Sequence, residues 1–114
     1  MSDALGAAGE ALACKVLCDK GLQILERNWR VGHLEADIVA FDPSCGATVI
    51  FEVKTRTSRY GGAPVEAVNW RKLSNLRALA AHWVALHGPT LMRIDVVGID
   101  GGRPPRVTYL RNVK

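Results

Sequence analysis

Residues 35–54 read EADIVAFDPSCGATVIFEVK. Two apolar runs, 37–41 and 48–53, flank the polar turn Asp42-Pro43-Ser44-Cys45-Gly46, a strand–turn–strand signature. Glu35, Asp37, Glu52 and Lys54 interrupt the strands. Within each strand the two charges alternate with an apolar residue, so each pair points to one face. A loop over 43–46 sets Asp42 against Ala47. The same register sets Asp37 against Glu52 and Glu35 against Lys54. Like charges directly opposite in a sheet are destabilising by about 0.2–1 kcal/mol, so two carboxylates are not placed there for stability. A divalent cation between them removes the repulsion, and hard oxygen ligands suit magnesium or manganese. The competing reading of the same charges is a salt-bridge network, Glu35 with Lys54 and Asp37 with another partner, and no chemistry.

Composition sets the frame around this hairpin. A chain of 114 residues is read as a single domain, 1–114, large enough to bury one core. Its hydrophobic fraction of 48% and charged fraction of 23% are those of a globular protein. No apolar run reaches the roughly 20 residues that span a bilayer, so no membrane role is expected. The start, MSDALGAAGEALACK, is acidic at Asp3 and Glu10 and has no basic segment before an apolar block, which points to the cytoplasm. Three cysteines without framework spacing read as free thiols. A net charge of +4 and a pI near 9.3 are compatible with a polyanionic partner.

Along the chain, Ser2 or Asp3 N-caps a first helix whose apolar stripe is Leu5, Ala8, Leu12 and Val16, closed by Lys20-Gly21. Glu10 shares a flank with Cys14 and Leu17 beside that stripe. It reads either as a solvated glutamate or as a carboxylate overhanging a sheet edge. Cys14 and Cys18, one turn apart, read as small buried residues and not as zinc ligands. Residues 22–31 form a first strand, and Gly32-His33 turns the chain into the hairpin. Residues 55–62, TRTSRYGG, read as a basic, glycine-rich mobile loop. Its Arg56 and Arg59 suit phosphate oxygens and its Tyr60 suits a base, unless the loop is only a solvated connection. Residues 64–68 lead into a second helix with Asn69 as N-cap. Its stripe is Leu73, Leu76, Leu79, Ala80, Trp83 and Val84, with Trp70 also placed in the core. Arg71, Lys72 and Arg77 make its first half basic and extend the nucleic-acid-binding surface. His87-Gly88-Pro89 ends the helix. Strands follow at 91–99 and 107–110, the last at a sheet edge, and Asp95 inside its apolar strand is expected to meet an arginine. The order of elements predicts an α/β fold, a mixed sheet with helices packed on it.

Asp37 followed by Glu52-Val53-Lys54 after a turn resembles the D…ExK signature of the restriction-endonuclease-like nuclease superfamily. The hairpin 36–56 is similar to the active-site hairpin of archaeal Holliday-junction resolvases. Stretches along nearly the whole chain, GEALACKVLCDKGLQILERNWR, LEADIVA, IFEVKTRTSRYGGAPVEAV, RKLSNLRALAAHWV and RIDVVGI, resemble the YraN-like family of small bacterial proteins. The resemblance implies a restriction-endonuclease-like mixed central sheet flanked by helices. It implies metal ligands at Asp37 and Glu52 with Glu10 beside them; the Val53 carbonyl, between Glu52 and Lys54, reads as a further oxygen ligand, and the oxygen set as one for Mg2+ or Mn2+ as cofactor. Lys54 takes the place of the catalytic lysine, and Glu35 matches the acid that precedes the motif aspartate. One departure is the spacing Gly32-His33-Leu34-Glu35, which sets glycine farther from the acid than in the relatives.

The function expected from these residues is a metal-dependent endonuclease hydrolysing phosphodiester bonds of structured, branched DNA, in repair or recombination. DNA is expected ahead of RNA, and cutting a junction would need two sites, as in a homodimer. The alternative is a non-catalytic nucleic-acid-binding or adaptor module with the same fold. The intact Asp37, Glu52 and Lys54 set favours the enzyme, because a pure binder needs none of it.

Overall fold

The computed structural model describes residues 4–57 and 68–114. The elements run α1 (Ala4–Asp19), β1 (Gln23–Val31), β2 (Leu34–Asp42), β3 (Ala47–Arg56), α2 (Trp70–His87), β4 (Leu91–Asp100) and β5 (Arg106–Leu110). The strands make one sheet in chain order, with β1 and β5 at its edges. Neighbours are antiparallel except β3 and β4, which are parallel from Ala47 opposite Leu91 to Arg56 opposite Asp100. A parallel pair needs a long crossover, and α2 lies within it. Among the described residues, this five-stranded mixed sheet with two flanking helices is the expected α/β architecture and is compatible with a restriction-endonuclease-like fold.

Alternation along the strands divides the core. Val49 and Phe51 join Ala13 and Leu17 of α1, whereas Ile50 joins Leu73, Leu76, Leu79 and Trp83 of α2. The α2 stripe is thus the expected one, and Trp83 meets Trp29 of β1 edge-to-face at 5.2 Å. Asn69 caps α2 by accepting a 2.9 Å bond from the Lys72 N–H, and Gly88, at φ 94°, closes it. Trp70 is not in the core: it is 80% exposed at the first position of α2, a turn before the buried stripe begins at Leu73.

The stripe of α1 is also displaced. Gly9, Glu10, Ala13 and Leu17 are buried, Ala8 is exposed, and Leu12 and Val16 are half-buried. The reason is Gly9: a Cβ there would lie 2.1 Å from Thr55 Oγ1, so α1 touches β3 through a residue with no side chain. Apolar periodicity does not register glycine as a contact. The one-residue rotation carries Glu10 inward. Cys14 is half-buried and Cys18 exposed, so only the expectation of free thiols holds for this pair. The side chain of Leu5 and the capping residues Ser2 and Asp3 lie outside the described residues, as do Arg59, Tyr60 and the 64–67 lead-in. Among the described residues no helix is long and apolar enough to cross a membrane.

Candidate functional site

The β2–β3 hairpin takes the register read from its loop, from Asp42 opposite Ala47 to Ile38 opposite Phe51. There the ladder stops, one residue short of Asp37 and Glu52. Asp37 instead turns its carboxylate across the strand gap, where Oδ2 accepts the Val53 N–H at 2.7 Å. On the other side of β2, Asn28 adopts φ 52° between the pairs Arg27–Ile38 and Trp29–Ala36. Ile38 packs in the α1 cluster and Ala36 in the α2 cluster, so the alternation of β2 breaks at Asp37. In an extended strand the N–H and C=O of one residue face the same neighbour. The Val53 carbonyl therefore faces the same gap as its N–H.

A pocket of about 230 Å³ opens at this split, lined by Gly6 and Glu10 of α1, Asp37 of β2, and Glu52, Val53, Lys54 and Thr55 of β3. A second recess of about 250 Å³ shares Glu52 and Lys54 and adds Asn69, Arg71, Lys72 and Asn75 at the start of α2. Burial pushes the Asp37 carboxyl up to about 7, with the Glu52 charge as the next cause and Glu10 a smaller one; the Val53 hydrogen bond opposes them. Burial also raises Glu52, partly offset by Lys72, whose Nζ lies 3.2 Å from Glu52 Oε1. Glu10 is 8% exposed, and its Oε1 has no hydrogen-bond partner among the described residues.

These donors fit a hard divalent cation: all are oxygens, two are desolvated carboxylates, and one buried carboxylate oxygen lacks a partner. Among the described residues, however, no three Asp, Glu, His or Cys side chains gather closely enough to hold a metal by themselves. The set that fits is Asp37 and Glu52 with the Val53 carbonyl and water. Glu10 lines the same pocket and adds less to the Asp37 shift than Glu52 does.

The other expected residues divide. Lys54 lines both recesses. Glu35 does not face Lys54; it lies opposite Arg30 of β1 and pairs with it. Arg56 is not on a loop: it belongs to β3, and its Nε donates to Asp100 Oδ1 at 2.7 Å. The parallel ladder with β4, which the local sequence does not announce, carries it there. Arg71 and Lys72 line the recess at the site, whereas Arg77 lines a separate recess with Arg93, Asn112 and Lys114. His33 is exposed in its turn. Sequence reasoning gave Lys72 to phosphate and missed its pairing with Glu52. The available signal was a lysine in the first turn of a helix, where the dipole disfavours a cation.

The sequence profile described as uncharacterised protein family UPF0102 matches residues 9–99. A UPF0102 protein of Mycobacterium sp. (strain JLS) is 45% identical over 114 residues, covering 96% of this chain and 84% of that protein. One of Mycobacterium avium (strain 104) is 46% identical over 114 residues, covering 96% and 88%. One of Mycobacterium tuberculosis (strain ATCC 25177 / H37Ra) is 42% identical over 116 residues, covering 96% and 91%.

Proposed function

The chain belongs to the UPF0102 family, and we propose that within it this protein is a metal-dependent endonuclease acting on structured DNA. The family description carries no activity, so the reading rests on the site. The observation that supports it is the single pocket that gathers Asp37, Glu52, Val53 and Lys54 with a buried, unpartnered oxygen of Glu10. Bound there, Mg2+ or Mn2+ would polarise a phosphoryl oxygen and lower the pKa of a coordinated water. Asp37, Glu52 and the Val53 carbonyl would hold the ion. Lys54, exposed at the mouth, orients the attacking water and offsets charge developing on the phosphate. Arg71, Asn69 and Asn75 in the adjoining recess suit a neighbouring phosphate, and exposed Trp70 next to them suits an unstacked base.

With the endonuclease reading go branched DNA as substrate, a role in repair or recombination and a homodimer with two sites, readings that rest on the resemblance of the hairpin to that of junction resolvases. One observation favours the alternative of a non-catalytic nucleic-acid-binding module: Lys72 already neutralises part of the acidic site without any metal. Cleavage assays on duplex, single-stranded and four-way-junction DNA with Mg2+ or Mn2+ decide between them. The enzyme cuts at least one of these, and Lys54→Ala abolishes cutting while leaving most DNA binding, because its role is in the transition state. Binding without cutting by the wild type, with either metal, supports the module instead.

A further inference from the structure

We propose that Lys72 is the site's built-in counter-cation, a positioning residue that holds Glu52 until a divalent ion displaces it. This rests on reading the β2–β3 split as a metal site. The ammonium of Lys72 lies 3.2 Å from Glu52 Oε1 and also acts electrostatically on Asp37, so one side chain serves both proposed ligands. Helix stability does not account for it. Lys72 occupies the first turn of α2, which carries no acidic residue, and the helix dipole disfavours a cation at this positive end.

The Lys72 side chain is 43% exposed and that of Glu52 13%, so the lysine can leave while the glutamate stays. It also has somewhere to go. The recess it lines holds Lys54, Asn69, Arg71 and Asn75, and Glu52 is the one acid among the residues lining it. Like charges in close contact repel where water is partly excluded, and a divalent ion doubles the repulsion a single charge would exert. An ammonium and a divalent ion therefore do not share Glu52. Metal entry moves Lys72 into the recess, where phosphate oxygens of a nucleic acid are its natural partners. By linkage, metal and polyanion then favour each other's binding.

The test uses Mn2+ alone, titrated calorimetrically into wild type, Lys72→Met and Lys72→Arg. The methionine removes the competing charge and keeps the stem, so Mn2+ binds about tenfold tighter. The arginine keeps the pair and stays within about threefold of wild type. Equal or weaker binding by Lys72→Met, with wild type binding normally, overturns the role of Lys72 and leaves the metal site standing. No binding by any of the three overturns both. A measurement on the wild type needs no variant. Reductive methylation followed by mass spectrometry reads the reactivity of the Lys72 amine, which rises with saturating Mn2+ if the ion frees it. Unchanged or reduced reactivity overturns the displacement.

Discussion

Two groups of buried or half-buried acids, in the sheet and on α1 against it, are treated in opposite ways. On β2 and β4, Asp42, Asp95 and Asp100 are fully partnered. Asp95, with no exposure at all, accepts from Arg93 Nε at 3.0 Å, Tyr109 Oη at 2.6 Å and the Asn112 N–H at 2.8 Å. Asp42 takes Ser44 Oγ at 2.6 Å, Arg93 at 3.0 Å and Arg111 at 3.2 Å, and Asp100 takes Arg56. The Ser44 hydroxyl foremost, with Arg93, holds Asp42 down at about 2. At the β2–β3 split, burial raises Asp37 and Glu52, and one oxygen of Glu10 has no partner among the described residues. The difference teaches that a buried acid is not in itself a sign of chemistry. What separates a strut from a candidate site is whether the chain supplies the partners that burial requires.

Breaking the satisfied group has the largest expected effect. Arg93 serves both Asp42 and Asp95, and Arg93→Met leaves the second of these without its charged partner in a dry interior. Removing one side of a buried pair costs about 3–5 kcal/mol, and urea denaturation of the variant should show a loss of that size. A loss under about 1 kcal/mol would erase the distinction between the two groups.

The unsatisfied group should respond in the opposite direction. Asp37 titrates at about 7 in the folded protein, above its ordinary 3.8. The folded chain holds a proton that the unfolded chain has released between those values. Wild-type stability therefore falls as pH rises from about 4 through 7, then levels. Asp37→Asn is neutral throughout and keeps an oxygen for the Val53 N–H, so it lacks that slope. In chelator at pH 8 it should be more stable than wild type by about 1–3 kcal/mol, and at pH 4 about equal. Millimolar Mn2+ should raise the Tm of wild type and not of the variant. Matching pH slopes, or a variant weaker at pH 8, would move Asp37 into the satisfied class.

Much of this was legible because hairpins and amphipathic helices are local. The loop at 43–46 fixed the register of five pairs, the caps at Gly21, Asn69 and Gly88 fell where their residue types demand, and an arginine for Asp95 was foreseeable from a lone acid in an apolar strand. What could not be read depends on elements distant in sequence. Gly9 rotates α1 because Thr55 stands opposite it. Arg56 is taken by Asp100 because β3 and β4 run parallel. Lys72 meets Glu52 because α2 returns over the split. Of the four charges of the hairpin, Asp37, Glu52 and Lys54 line one pocket, whereas Glu35 lies opposite Arg30 of β1.

That fourth charge, Glu35, supplies the smallest and sharpest prediction, because it stands between the two groups. It has a partner, as the satisfied acids do, but that partner is Arg30, whose side chain is 68% exposed. It also adds, as the smallest of the named causes, to the upward shift of Glu52, as a member of the site would. Surface pairs contribute about 0–1 kcal/mol, since water solvates either partner when the other is removed. Glu35→Gln should therefore change stability by less than about 1 kcal/mol in chelator. If Glu35 is only the arginine's partner, its loss leaves Asp37, Glu52 and the Val53 carbonyl as they are, and the Mn2+-induced rise in Tm stays at the wild-type size. Glu35→Gln melted with and without Mn2+ reads both quantities at once. A metal response that vanishes while stability is kept would make Glu35 a ligand, and the site would then extend along β2 toward Arg30 and not stop at Asp37.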